Sequence, residues 1–279
     1  MPNRPFYLQP GCDSENVVGS MHATAPLAGA CLIITRPVGS SASLRRKIAS
    51  LGGTSLTLPG LTLRPVQHPQ RAADQLRGVR SGTDWIFSSP AAVRFAFQLA
   101  PDLPISEGAG VFAVGAGTRR SLARHAVDAT TPTERSDSEG VLALAAFDHM
   151  VGRNVVLIGA PGGRDLIAPT LRERGADVVA IPVYERRPAR LTQRHFDALQ
   201  SAPAPWITLV SSGEALANLM AQLPDTLKTR LHHQVLVVSS ARLEALAHEA
   251  GFEDVLNARS AMPADLLAAA ERALARHRL

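Results

Sequence analysis

Short runs of branched apolar residues alternate along this chain with longer stretches in which apolar positions recur every three or four residues. LIIT at Leu32–Thr35, VVLI at Val155–Ile158 and VLVV at Val235–Val238 are almost wholly apolar, the pattern of strands buried on both faces. Further strands are expected at Thr54–Pro59, Trp85–Ser88, Val111–Val114, Val178–Pro182 and Ile207–Val210, with short edge strands near Asp128 and Asp254. Helices are expected over Ala42–Leu51, Ala91–Leu99, Ala116–His125, Ser138–Phe147 and Asp165–Arg174. The second half adds Thr192–Gln200, Glu214–Gln222, Ala241–Ala250 and Ala264–Arg276. Strands alternating with helices of this length predict an α/β protein built on parallel sheets with helices on both faces.

The pattern occurs twice. CLIITRP at Cys31 answers to VVLIGAP at Val155, and VFAVGAGTRRSLARHAV at Val111 to VLVVSSARLEALAHEAG at Val235, each 124 residues on. GVLALAAF at Gly140 answers to ADLLAAAE at Ala264 at the same offset, and WIFSSPAAVRFAFQL at Trp85 to WITLVSSGEALANLM at Trp206 at 121. Order and spacing both survive, and a period this long predicts duplicated domains, not a solenoid.

Two segments interrupt the alternation. LTLRPVQHP at Leu61–Pro69 and VYERRPARL at Val183–Leu191 are extended, charged and proline-bearing, and each follows a strand and precedes a helix. They read as paired connectors, so that the chain leaves a first lobe near residue 60 and returns to it near residue 190. The expected organisation is a first lobe in two pieces (29–61 and 189–279), a second lobe at 68–182, and connectors at 62–67 and 183–188. Residues 1–28 lack periodicity and a repeat partner; they are expected to form a flexible tail, within which Met21 is an alternative start.

Composition narrows the function classes. A length of 279 residues and 46% hydrophobic content suit two domains with real cores. Aromatics at 4% argue against stacking platforms for single-stranded nucleic acid. The net charge of +5 comes from arginines spread along the chain without a run of five like charges, so it implies a surface mildly favourable to acidic ligands and no nucleic-acid partner. Cys12 and Cys31 make neither a disulfide scaffold nor a metal motif; Cys31 reads as a small core residue, and a cytoplasmic location follows as the default. No apolar stretch is long enough to span a bilayer.

In open parallel sheets, ligands sit beyond the carboxyl ends of the strands. This chain places there Thr35-Arg36-Pro37, Ser88-Ser89-Pro90, Gly115-Ala116-Gly117-Thr118, Gly159-Ala160-Pro161-Gly162-Gly163, Ser211-Ser212-Gly213 and Ser239-Ser240. Any one such loop is explained by helix capping, for which Ser, Thr and Gly are favoured. Six of them lining two lobes suggest a cleft that grips carboxylates or phosphates through N–H groups and hydroxyls.

Other motifs are incomplete. GAGTRR lacks the third glycine and the acid of a dinucleotide fingerprint, which argues against a nicotinamide-dependent reductase; GAPGGRDL lacks the G-K-[ST] of a P-loop. There is no G-x-S-x-G or H-E-x-x-H, and His232-His233 is expected in a solvated loop rather than on a metal. Asp84 and Asp165 border strands or helix starts, where an acid usually caps. Tyr184 stands in a connector, IPVYERRP, facing the expected cleft. It is either a hinge anchor with its hydroxyl bonded or a phenol placed to protonate a leaving group, and one residue can do both.

The ordered set ITRP, DWIFSSPAAV, FAVGAGT, SDSEGVLAL, GRDLIAPTLRERGADVVAIPVYER and VSSGEALANL resembles the uroporphyrinogen-III synthase family, from about Leu32 to Arg276. The resemblance implies two HemD-like (flavodoxin-like) α/β lobes joined by a two-stranded connector, with the first lobe discontinuous. It also implies a cofactor-free, usually monomeric lyase acting on a small molecule, hydroxymethylbilane. By motif position Ser89, Thr118, Tyr184 and Ser211 match polar cleft residues of the family, and Thr35 and Arg36 stand at the matching first-strand end. Many relatives carry a second VGxxTA in the last loop; VVSSARL stands there in this chain, with Ser239 and Ser240 in the threonines' place. A non-catalytic two-lobed sensor of an anionic metabolite remains open, since architecture does not imply activity.

Overall fold

The structure, a computed structural model, describes residues 25–133, 135, 137–162 and 166–277. The chain begins with strand β1 (Cys31–Ile34), helix α1 (Ala42–Ser50) and β2 (Thr54–Thr57), then crosses over on β3 (Leu61–Pro65). A second unit follows: α2 (Pro69–Arg77), β4 (Asp84–Phe87), α3 (Pro90–Leu99), β5 (Val111–Ala113) and α4 (Ala116–Ala123). It continues with α5 (Ser138–Leu142), β6 (Asn154–Gly159), α6 (Ile167–Glu173) and β7 (Asp177–Pro182). The chain returns on β8 (Tyr184–Pro188). It then adds α7 (Gln193–Gln200), β9 (Trp206–Val210), α8 (Gly213–Gln222), α9 (Asp225–His232) and β10 (Val235–Val238). It closes with α10 (Ala241–Glu249), β11 (Val255–Asn257) and α11 (Pro263–His277).

Two parallel sheets result, ordered β11-β10-β9-β1-β2 and β5-β4-β6-β7, with β3 and β8 as a separate antiparallel ribbon. The first lobe is therefore made from both ends of the chain, as the interrupted alternation predicts. Alternate residues of each strand enter opposite cores. Leu32, Ile34, Leu209 and Val237 pack under α1 and α11, whereas Ile33, Trp206, Val210 and Val238 pack under α8, α9 and α10. The second sheet repeats this with Trp85 and Phe87 on one face and Ile86 and Phe112 on the other. Burial on both faces is why the central strands read as unbroken apolar runs, each large side chain contributing roughly 1.5–3 kcal/mol.

Several expectations are corrected. Ser138–Phe147 is not one helix: α5 ends at Leu142, Leu144 is extended, and Ala145–Phe147 forms a turn of 3-10 helix that buries Phe147. Helices α2 and α9 are additions, and α9 carries His232 out of the expected loop to stack edge-on against Phe252 at 4.8 Å. Near Asp128 a single bridge, Phe112 to Thr130, takes the place of an edge strand. At the end of the expected tail, Leu27 is fully buried and its N–H donates to the carbonyl of Leu51, so ordered packing begins before residue 28. Residues 1–24 of the expected tail, Cys12 and Met21 among them, lie outside the described residues, as do Gly163 and Asp165. Cys31 is a core residue, and burial raises its thiol pKa. Asp84 does not cap a helix. It is buried, accepts the Gly110 N–H at 3.0 Å and pairs with Arg153 at 2.5 Å.

Candidate functional site

The connection between the lobes decides which way the strand tips point. Strand β2 runs out of the first sheet at its carboxyl end and leads through Leu58-Pro59-Gly60 into β3. Strand β7 runs out of the second sheet at its carboxyl end and leads directly into β8. Since β3 and β8 pair antiparallel, Leu61 with Pro188 and Pro65 with Tyr184, the ribbon joins one sheet's carboxyl edge to the other's. Five paired residues span about 17 Å. The carboxyl tips of the two sheets are thus the ends that one ribbon length joins.

Contacts across the gap agree. Arg186 on β8 donates to the carbonyls of Pro161 (3.2 Å) and Gly162 (2.5 Å), beyond β6, and its Nε lies 3.8 Å from the Glu214 carboxylate at the start of α8. One side chain therefore touches a tip loop of each lobe. Next to it, a Cβ on Gly60 would stand 1.9 Å from the Ala215 carbonyl oxygen, so the ribbon's root lies directly on the backbone of α8.

The serine pairs divide their work. Ser89, Ser212 and Ser240 are the N-caps of α3, α8 and α10, accepting the N–H groups of Ala92, Ala215 and Leu243 at 3.1, 3.3 and 3.4 Å. Capping is thus the observed contact of the second serine in each pair. The hydroxyls of Ser88, Ser211 and Ser239 bond to no other described residue. Ser211 and Ser239 follow adjacent strands paired in register, Val210 with Val238, and so stand side by side. Ser88 holds the equivalent place in the second lobe, following β4 as Ser211 follows β9; the sequence puts both Ser88 and Ser89 in that tip loop, and the structure separates the unbonded Ser88 from the capping Ser89. A Cβ on Gly159, beside it, would come 2.7 Å from Ser88 Oγ, so a side chain there would turn that hydroxyl away from its present position.

The other candidates differ in what they leave available. Thr35 is buried and its hydroxyl donates to the Leu209 carbonyl at 2.9 Å, which fastens the tip of β1 to β9 and keeps that group out of the gap. Arg36 donates to the carbonyl of Ala261, and burial lowers its pKa; with no carboxylate beside it among the described residues, it is a partly desolvated cation at the tip. Gly115 caps α4 in an extended conformation and has no side chain to satisfy the first-turn N–H groups. Thr118, buried in that first turn, donates its backbone N–H to the Gly115 carbonyl.

Tyr184 shows the contacts of an anchor and the position of a donor. It is 7% exposed, stacks on Phe95 at 5.4 Å, and its hydroxyl lies 3.1 Å from Ser89 Oγ. Ser89 already accepts the Ala92 N–H. If Ser89 gives its own proton to the Tyr184 oxygen, the phenolic proton is left for a third partner.

Residues 42–268 match the family described as Uroporphyrinogen-III synthase HemD. The chain belongs to that family. It is 32% identical to the Uroporphyrinogen-III synthase of Escherichia coli (strain K12), an alignment covering 80% of this chain and 93% of the relative. It is 31% identical, at the same coverages, to the Uroporphyrinogen-III synthase of Salmonella typhimurium (strain LT2). Among solved structures it resembles uroporphyrinogen-III synthetase from Helicobacter pylori 26695, with TM-score 0.59 and 14% identity over 88% of this chain and 98% of that one. A mutant Uroporphyrinogen III Synthase from the extremely thermophilic bacterium Thermus thermophilus gives TM-score 0.55 and 16% identity over 88% of this chain and 99% of that one. At such identities the structural likeness speaks for the HemD fold alone. Family and homologues together give the function, that of a uroporphyrinogen-III synthase, a hydro-lyase of tetrapyrrole biosynthesis.

For a member of the HemD family, the chemistry at the tips is sparse. Among the described residues no group of three or more His, Cys, Asp or Glu is placed to hold a metal, and no helix is long and apolar enough to cross a membrane. Two hollows of about 300 and 410 Å³ lie within the second lobe, one around Arg80 and Asn154 and the other around Phe97 and His125. Neither is lined by a tip-loop residue.

Proposed function

We propose that the chain takes hydroxymethylbilane between the facing strand tips and cyclises it to uroporphyrinogen III, with loss of water and inversion of ring D. What supports this reading is the set of groups at the carboxyl tips of both sheets, which one ribbon joins: the hydroxyls of Ser88 in one lobe and Ser211 and Ser239 in the other, the open start of α4, and Arg36. A linear tetrapyrrole is a flexible polyanion with carboxylates on every ring. Weak donors spread over both lobes can hold it at several points at once without fixing it in place by any single contact.

The reaction asks little else of the protein. The substrate's C–O bond breaks as a proton reaches the departing hydroxyl, leaving a protonated azafulvene on ring A and a molecule of water; the proton is given back when the reclosed ring regains its aromaticity. Ring D attacks through its substituted carbon, and the resulting spiro species fragments and recloses with ring D turned over. The pyrroles supply the electrons; the protein supplies one closing geometry, and positioning of this kind accounts for up to roughly 7–11 kcal/mol. Tyr184 is the proton donor in this reading, a role that adds about 10²–10⁴-fold. Ser88, Ser211, Ser239, Arg36 and the first turn of α4 hold carboxylates, while Ser89, Ser212 and Ser240 hold the helix starts that present them. No cofactor enters any step. The tight ribbon and the two-lobe gap are complete within one chain, which supports a monomer, and two cysteines without a scaffold support a cytosolic setting.

The test is product analysis. Purified protein given freshly made hydroxymethylbilane is expected to yield, after oxidation and chromatography, mainly the type III isomer. Recovery of only the type I isomer, which forms without enzyme, rejects the reading.

A further inference from the structure

We propose that Arg94 is a substrate-binding residue that takes a carboxylate of the tetrapyrrole from the second lobe's side of the gap, opposite the loop between β1 and α1. The proposal deepens the cyclase reading and rests on it. Arg94 lies on α3, five residues beyond the cap Ser89, and its side chain is exposed. Its Nη1 stands 4.0 Å from where a Cβ on Gly39 would be, and Gly39 belongs to the other lobe. The guanidinium therefore reaches the opposing tip loop instead of projecting into open solvent. Gly39 has φ +90°, a conformation that disfavours any side chain, so the surface facing the guanidinium stays bare.

Four further observations suit an anion there. Among the described residues Arg94 has no ion-pair or hydrogen-bond partner. Its Cζ lies 4.8 Å from the centre of the Phe95 ring, a contact that orients the planar group without neutralising it. Phe95 in turn stacks on Tyr184, whose hydroxyl meets Ser89, so the cation and the proposed proton donor hang on one chain of contacts. Finally, Val38 beside Gly39 is 75% exposed. An exposed apolar side chain next to a forked cation suits a pyrrole that carries an acid side chain, ring against Val38 and carboxylate on Arg94. An arginine placed only for solubility needs neither the reach across the gap nor the aromatic support.

Steady-state kinetics with hydroxymethylbilane tests this, using Arg94→Lys, Arg94→Gln and Arg94→Glu beside the unaltered protein. Arg94→Gln is expected to raise KM about 10-fold with kcat within about threefold, Arg94→Glu to raise it further, and Arg94→Lys to recover most of the loss. Thermal midpoints are expected to stay close together, since the side chain is exposed. An unchanged KM in Arg94→Glu overturns the proposal, as does a KM rise in all three variants that follows a fall in thermal midpoint. If Arg94→Glu does not fold, the Gln and Lys variants decide by the same criteria. Type III product from the unaltered protein keeps the cyclase reading intact in those cases; type I product alone overturns both.

Discussion

Single residues at the tips do one of two things, and their hydrogen bonds say which. Ser89, Ser212 and Ser240 cap helices, while the hydroxyls of Ser88, Ser211 and Ser239 bond to no other described residue. Tyr184 joins both groups, with a buried ring and a hydroxyl shared with a cap. Losing that one hydrogen bond costs about 0.5–1.5 kcal/mol of stability, whereas losing a proton donor costs about 10²-fold or more in rate. Tyr184→Phe is therefore expected to keep KM and most of its thermal stability while kcat falls about 100-fold or more. A normal kcat with a lowered melting point would make Tyr184 a hinge anchor and nothing else. Stopped-flow or single-turnover assays of isomer formation make the distinction.

At the scale of elements, the ribbon meets the tips both through a long side chain, Arg186, and by direct backbone packing. Gly60 is the clearest case, since a Cβ there would overlap the Ala215 carbonyl at the start of α8. Gly60→Ala is expected to destabilise the protein by about 1–3 kcal/mol, the range for overfilling a closed contact, seen as a lower urea midpoint. An unchanged midpoint would mean that α8 yields freely to the ribbon. Strands and most helices are legible in the sequence because burial on both faces writes itself as VVLI or VLVV and a single buried stripe as a helical period. Helix α2 escapes because two of its three buried residues are alanines, Ala72 and Ala73, which carry little apolar signal. Helix α9 escapes because Leu227 and Leu231 are its whole buried stripe. The N-caps are legible by type, but which serine of each pair caps is settled by the backbone at the cap, so the sequence alone does not separate Ser88 from Ser89. Arg94 and Gly39 are 55 residues apart in different lobes, and nothing local in the sequence links them.

At the scale of the whole molecule, the function depends on two sheets presented tip to tip. The ribbon leaves both sheets from carboxyl ends, and Arg186 touches the β6 loop and Glu214 from between them. A duplicated lobe gives each sheet a similar set of tip loops, four of them running directly into helix starts (α3, α4, α8 and α10), and in the proposed reading these together grip the polyanion. The most direct measurement of that claim is amide hydrogen exchange with and without uroporphyrinogen III. Slowed exchange is predicted at 36–41, 89–93, 115–118, 160–162, 211–215 and 239–243, in both lobes together, with little change elsewhere. Slowing confined to one lobe, or centred on the hollow around Arg80 and Asn154, would contradict the account.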